Sequence, residues 1–245
     1  MKIAIILPVY QLEGDRWTNF RFIITKLRSV SCSEIIVVEQ LKFKQETQVS
    51  KHMKDLKDIK FKYRSVISNE SLVNKSLLNN KGVMTASNDT TYFWFLDVDI
   101  SMPYQRVIDY LETANDMVIK PFPKFYLLTP EESTLVRNHK QISINRPARM
   151  NNSLGAGSII IHREALYSLR GWDEAYVGWG FEDMDIALRL EDWYEPVVLQ
   201  NPAVHLYHVP ARLDRIYYLK NENRYKKSLT KTPEARKEDV ISSLH

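Results

Sequence analysis

The segment Trp94-Phe95-Leu96-Asp97-Val98-Asp99-Ile100-Ser101 decides how the rest of the chain is read. It extends the apolar run that starts at Tyr92-Phe93 and then places two carboxylates one residue apart. A strand buried on both faces is a near-continuous hydrophobic run, typical of parallel sheets covered by helices. Residues i and i+2 of a strand point the same way, so Asp97 and Asp99 are expected to face one side together at the strand's end. Like charges that close repel, and each raises the other's pKa. A divalent cation removes the conflict. The plain alternative is a pair of strand-end carboxylates capping the next helix.

Outward from this strand, apolar runs and helical periodicities alternate. Lys2–Val9, Glu34–Glu39, Phe61–Val66 and Thr91–Val98 read as strands. Trp17–Val30, Val49–Leu56 and Ser71–Ala86 read as helices, the last with Ser71 as its N-cap. Further on, Met117–Lys120, Ser158–His162 and Glu195–Leu199 read as strands, and Arg163–Leu169 and Glu182–Leu190 as helices. This order predicts an α/β fold: a Rossmann-like, mainly parallel central sheet with flanking helices. Ligands of such sheets bind at the carboxyl ends of the strands. Pro8-Val9-Tyr10, Glu39-Gln40 and Asp97-Val98-Asp99 should therefore converge on one crevice. No GxGxxG follows the first strand, which argues against NAD or FAD, and no Walker A sequence is present. Lys124–Asn152 shows little periodicity and reads as a long loop region.

Composition sets bounds. The 245 residues are 44% hydrophobic and 26% charged, as in an ordinary globular protein with a sizeable core. No apolar run approaches the length of a membrane span. The N-terminal MKIAIILPVYQ lacks a small-residue cleavage site and reads as a buried strand. Cys32 is the only cysteine, which agrees with a reducing compartment, so a cytoplasmic location is expected. Residues 211–245 hold nine basic and five acidic residues, and so the whole formal excess of +4. Two units follow: a domain over 1–210 and a basic C-terminal extension over 211–245. The extension is either a solvated surface or a contact for an anionic partner, a nucleic acid or a membrane surface.

Three further features carry chemistry. His205-Leu206-Tyr207-His208 sets two imidazoles three residues apart, and carboxylate with imidazole suits Mn²⁺ or a similar metal. Gly155-Ala156-Gly157 precedes a strand and permits close approach of a ligand to the backbone. In GWDEAYVGWGFEDMDIALRL, Gly171–Leu190, two tryptophans and three glycines stand beside Asp173, Glu182, Asp183 and Asp185. Acids in a first helical turn are ordinary dipole partners. An aromatic plate beside carboxylates also suits a sugar, whose CH face stacks while its hydroxyls hydrogen-bond. Asp185 lies about 200° around the helix from Asp183, so it is expected to turn toward Arg189.

With these motifs in order, the chain resembles the nucleotide-sugar glycosyltransferases of GT-A fold. WFLDVDIS is similar to their DxD motif, and the GWGFEDMD stretch to the GWGxEDxD segment of the β1,4-galactosyltransferase and chondroitin-polymerase-type group. The resemblance covers roughly residues 1–210. It implies a metal-dependent, inverting hexosyl- or pentosyltransferase that uses Mn²⁺ (or Mg²⁺) and a UDP-sugar. The acceptor would be a hydroxyl of a glycan or of a modified nucleic acid. By resemblance, Pro8, Tyr10 and Glu39 surround the nucleoside and Asp97 lies at the diphosphate. Asp99, His208 and His205 hold the metal, and Gly157 and Trp179 border the sugars. Glu182 binds the acceptor and Asp183 is the general base. The chain departs from the group at Glu39-Gln40-Leu41, where many relatives carry an acidic pair. It departs also at Phe181, where small residues are common, and at Arg170, where a second glycine is usual. Two other classes use some of the same residues. A nucleotidyltransferase would use the Asp pair and a metal. A non-catalytic binder would use Arg224, Lys226 and Lys227 with Tyr217, Tyr218 and Tyr225 on phosphates and bases.

Overall fold

The structure is a computed structural model that describes residues 1–31, 34–42, 47, 49, 56–68, 70–147, 149–150, 154–210 and 213–244. Cys32, and nearly all of the helix expected over Val49–Leu56, lie outside the described residues.

Strand β1 (Ile3–Tyr10) alternates its side chains between two cores. Ile3, Ile5, Leu7 and Val9 pack into one cluster with Phe20, Ile23, Ile24 and Leu27 of α1 (Gly14–Leu27). Ala4 and Ile6 pack into the other with Leu78 and Val83 of α2 (Lys75–Thr85). Strand β4 (Tyr92–Leu96) divides the same way: Tyr92, Trp94 and Leu96 to the first core, Phe93 and Phe95 to the second. The period of two thus makes a three-layer α/β/α sandwich.

The central sheet has seven strands in the order β10-β6-β9-β4-β1-β2-β3. Its members are completed by β2 (Glu34–Leu41), β3 (Lys62–Ile67), β6 (Val118–Lys120), β9 (Ser158–His162) and β10 (Val197–Val198). All neighbours pair in parallel except β9, which runs against both β4 and β6. Because β9 runs backwards, its N-terminal turn lies beside the C-terminal end of β4. A four-stranded sheet at that end has the order β5-β11-β7-β8: β5 (Ile100–Ser101), β7 (Lys124–Leu127), β8 (Arg149–Met150) and β11 (Val204–His205).

The other helices are α3 (Tyr104–Leu111), α4 (Pro130–Arg137), α5 (Arg163–Ser168), α6 (Glu182–Glu191), α7 (Arg215–Leu229) and α8 (Pro233–Glu238). Two local expectations are corrected. Asn74, not Ser71, caps α2, its side chain accepting from Leu77 N–H at 2.9 Å. The stretch expected as loop over Lys124–Asn152 contains β7, α4 and β8. Helix α4 is held by a capping box between Thr129 and Glu132, with Pro130 in its first turn, so local chemistry supplies what the weak periodicity lacked. No described helix is long and apolar enough to cross a membrane.

Candidate functional site

Strand β4 leaves the sheet at Leu96, and Asp97-Val98-Asp99 forms a turn before β5. Asp97 N–H donates to Gly157 O (3.0 Å), and Ile100 N–H closes the turn on Asp97 O (3.2 Å). The two carboxylates therefore do not share one strand face, as expected from an i, i+2 pair. They diverge to two neighbouring clusters.

Asp99 faces the imidazoles. Its Oδ2 lies 3.1 Å from His208 Nε2 and its Oδ1 3.7 Å from His205 Nε2. One ligand atom from each of the three lies within 4.8 Å of the others. His208 Nδ1 is 2.9 Å from Val209 O, which orients the ring and leaves Nε2 turned to the site. Phe125 stacks on His205 at 5.7 Å. The HLYH turn is anchored on both sides: buried Asn19 donates to Tyr207 O (2.9 Å) and Ser133 Oγ accepts from Tyr207 N–H (2.7 Å). Burial works to raise the Asp99 carboxyl, but His205, His208 and Lys75 outweigh it and hold it at about 2. The hydrogen bond to Asp99 in turn raises His208. One carboxylate and two oriented imidazoles are a donor set that fits a first-row divalent cation.

Asp97 faces a cation the sequence reading missed. Lys75, first residue of α2, places Nζ 2.9 Å from Asp97 Oδ1 and 3.3 Å from Asp183 Oδ1. Burial works against its charge, but Asp183, Asp97 and Glu182 raise its pKa well above the ordinary lysine value. Burial, with Asp183 and Asp99 nearby, pushes Asp97 up to about 6 against the pull of Lys75. Burial, then Asp183, lifts Glu182 to about 7. Glu182 Oε2 is buried with no hydrogen-bond partner among the described residues. The one sequence signal for Lys75 was its place after a capping asparagine.

Glu182 and Asp183 open α6, whose N-cap Phe181 takes a left-handed φ of 74°. Arg170 takes one of 63°. These are two positions where the resembled group carries smaller residues, and a non-glycine residue there costs about 1–2 kcal/mol. Asp185 turns away, as expected, to Arg189 Nε at 2.8 Å. Gly155 lies under α6: a Cβ there would stand 2.6 Å from Asp183 O, so only glycine lets the strand's lead-in turn approach. Gly157, with φ +75°, bends that turn back to receive Asp97 N–H. Buried Lys120 ties the turn from below, donating to the carbonyls of Ala156 and Ser158, and burial pulls its pKa down to about 7.

At the other end of the crevice, Pro8 sits in β1 opposite Val38, and Tyr10 donates to Ser71 O (2.9 Å). Glu39 is buried in β2 and accepts from Tyr63 Oη (2.7 Å). Its neighbour Gln40, expected at the crevice, donates to Leu72 O (2.8 Å) and accepts from Asn74 N–H (2.8 Å), fixing the lead into α2.

Trp179 is 61% exposed in the turn before α6. Tyr218 of α7 stacks on it, 6.0 Å between centroids at 13°, and Phe181 packs on Tyr218 and Tyr225. Buried Asn221 donates to Val177 O (3.0 Å) and Gly180 O (3.1 Å). Arg224 pairs with buried Asp173 at 2.6 Å and donates to Asp239 O. Of the residues suggested for phosphate and base contacts, Arg224 turns to Asp173, Tyr218 and Tyr225 pack on Phe181, and Tyr217 bonds Glu70 at the surface, while Lys226 and Lys227 are exposed.

The family model described as the N-terminal domain of galactosyltransferase matches residues 138–198, which hold the glycine turn and the whole of the carboxylate helix α6. No curated protein matches the chain by sequence. Among solved structures, the chain is similar to the catalytic domain of Drosophila β1,4-galactosyltransferase 7 in complex with xylobiose. The TM-score is 0.57, at 16% identity over 90% of this chain and 79% of that one. GalNAc-T7 with UDP, GalNAc and Mn²⁺ gives 0.64 at 13% identity, over 93% of this chain and 48% of that one. S. aureus TarS gives 0.61 at 12%, over 97% and 41%. The chain therefore spans about four-fifths of the first neighbour and less than half of the other two. The fold is thus that of the GT-A glycosyltransferase structures, as the motif order implied, and residues 138–198 are similar to the galactosyltransferase segment.

Proposed function

We propose that the protein is a metal-dependent, inverting glycosyltransferase that moves a sugar from a UDP-sugar to a hydroxyl of a glycan. The observation that carries this reading is the pairing of two clusters across one turn. Asp99, His205 and His208 form a cation-binding set, and Lys75, Asp97, Asp183 and Glu182 form a charged pocket beside it. Neighbouring structures were obtained with UDP, UDP-GlcNAc or Mn²⁺ bound, which supports the donor and cation classes.

Asp99, His208 and His205 would hold the cation, which supplies charge neutralisation for a departing diphosphate. Pro8 and Tyr10 border the nucleoside end, where Glu39 stays engaged with Tyr63. Lys75, paired with Asp97 beside the imidazole cluster, would present a positive charge to the phosphates. Trp179 offers an aromatic face to a sugar, and Gly157, in the turn that receives Asp97 N–H, would border it. Glu182 Oε2, buried and unpaired among the described residues, is placed to bond an acceptor hydroxyl. Asp183 takes the proton from the attacking hydroxyl. Attack from the carboxylate side, opposite the diphosphate, inverts the anomeric centre.

The test is a hydrolysis and transfer screen across nucleotide sugars with Mn²⁺, before and after chelation. Release of free nucleoside diphosphate that stops on chelation is expected. Activity surviving in chelator, or release of pyrophosphate in place of nucleoside diphosphate, would overturn the reading; the latter is the signature of a nucleotidyltransferase.

A further inference from the structure

Helix α7 has two faces, and only one is accounted for. Tyr218, Asn221, Arg224 and Tyr225 grip the body of the domain. At 100° per residue the outward arc has Leu219 and Ile216 at its middle. Arg215 and Lys226 flank it on one side, Lys220 and Lys227 on the other. Ile216 is 66% and Leu219 44% exposed. Leu213 and Val209, just ahead of the helix, are 50% and 66% exposed. Exposed large apolar side chains are ordinarily scattered singly. Here four fall within the stretch from Val209 to Leu219. The acids of the same region are engaged: Asp214 caps the helix, accepting from Ile216 and Tyr217 N–H, and Glu222 pairs with Lys226 at 2.8 Å.

We propose that this face docks on an anionic membrane surface. An apolar centre between two rows of basic side chains fits a bilayer interface. The aliphatic groups enter the acyl boundary, and the long basic stems reach back to lipid phosphates. Along this outward arc a nucleic acid would find no ring to stack on, because Tyr218 and Tyr225 pack on Phe181 and Tyr217 bonds Glu70, and Ile216 and Leu219 offer nothing to phosphate. Docking by the outward face leaves the inward face's partners, Gly180 and Phe181, one helix diameter (roughly 10–12 Å) from the surface, one to two residues from Glu182. On the glycosyltransferase reading above, the acceptor hydroxyl then belongs to a membrane-anchored molecule.

The test is co-sedimentation of the full chain with vesicles of phosphatidylcholine alone or of an equal mixture with phosphatidylglycerol. Binding to the anionic vesicles is expected, weakened about tenfold by high salt or by the neutral lipid. The Ile216→Glu/Leu219→Glu double variant should lose that binding about tenfold or more while keeping its melting temperature and donor hydrolysis. Lys220→Glu/Lys227→Glu should weaken binding to anionic vesicles only. Absence of wild-type binding, or binding indifferent to Ile216→Glu/Leu219→Glu, overturns the proposal. So does salt-sensitive capture of a single-stranded oligonucleotide that survives the double variant. Vesicle binding is read without a donor, so a chain that binds vesicles yet cleaves no nucleotide sugar refutes the enzymatic reading alone.

Discussion

Replacing Lys75 with methionine removes one ammonium from among three carboxylates and leaves the volume of the side chain nearly intact. Its contacts at 2.9 Å to Asp97 and 3.3 Å to Asp183 each represent roughly 5 kcal/mol of Coulomb attraction at an effective dielectric constant of about 20. Most of that offsets the desolvation of the charges, so the net loss is smaller. Breaking a buried pair from one side costs about 3–5 kcal/mol, because the remaining charges stay buried without a partner. For a chain of this length that lowers the melting temperature by about 6–20 °C. The loss should also depend on pH. Asp97 and Glu182 already sit above the ordinary carboxylate range, at about 6 and about 7. A carboxyl raised in the folded state favours folding below its unfolded pKa and loses that contribution as pH rises through the folded value. Without Lys75 both rise further. The Lys75→Met deficit should therefore be large at about pH 8 and smaller at about pH 5, where the stranded carboxyls bind protons. Calorimetric melting of the metal-free protein at the two pH values reads this directly. An unchanged melting temperature at the higher pH, or an equal deficit at both, would refute the argument that Lys75 neutralises this cluster.

Asp183→Asn should lower kcat by about 10²–10⁴-fold while donor KM and Mn²⁺ affinity persist, as for a group acting only in the transition state. Near-normal turnover there, with loss in Glu182→Gln, would exchange the two roles. Asp99→Ala and His208→Ala should each weaken Mn²⁺ binding in titration calorimetry by more than the roughly 10–100-fold that a lost outer partner costs. Asn221→Ala orphans the carbonyls of Val177 and Gly180; it should cost about 1–3 kcal/mol and raise acceptor KM without altering donor KM, a split that steady-state kinetics resolves. Gly155→Ala should reduce kcat and stability together, since its Cβ would stand 2.6 Å from Asp183 O.

The layered sheet was legible because β1, β2, β4 and β9 are apolar on both faces, a pattern that few other structures produce. The glycine turn, the DVD turn and the HLYH turn were legible as motifs, and the structure brings Asp97, Asp99, His205, His208, Glu182 and Asp183 to one end of that sheet. What stayed hidden was carried by residues of ordinary type. Lys75, Lys120 and Asn19 act through long-range contacts, and a lysine at a helix start or in a short strand looks like any surface cation. The divergence of Asp97 and Asp99 was also out of reach. It depends on where β4 leaves the sheet, and the alternation of side chains alone does not mark that residue. Helix α4 could have been found, since Thr129-Pro130-Glu131-Glu132 is a capping signal that hydrophobic periodicity does not register.

The pairing of the site across the chain bears on how it is made. Lys75 meets Asp183 over a separation of 108 residues, and Asn19 reaches Tyr207 over 188. Strands β1, β2 and β3 can pair as soon as they leave the ribosome, but at that stage neither imidazole of the cation set has been synthesised. Contacts this distant in sequence form late and slowly. The nascent chain therefore carries Asp97 and Asp99 at the edge of a half-built sheet while more than a hundred residues are added. During that interval the unpaired edge of β4 awaits β9, and a chaperone that shields it guards the forming crevice as well. Substitutions that weaken β9 should accordingly reduce the yield of folded protein during synthesis more than they reduce the activity of the molecules that do fold.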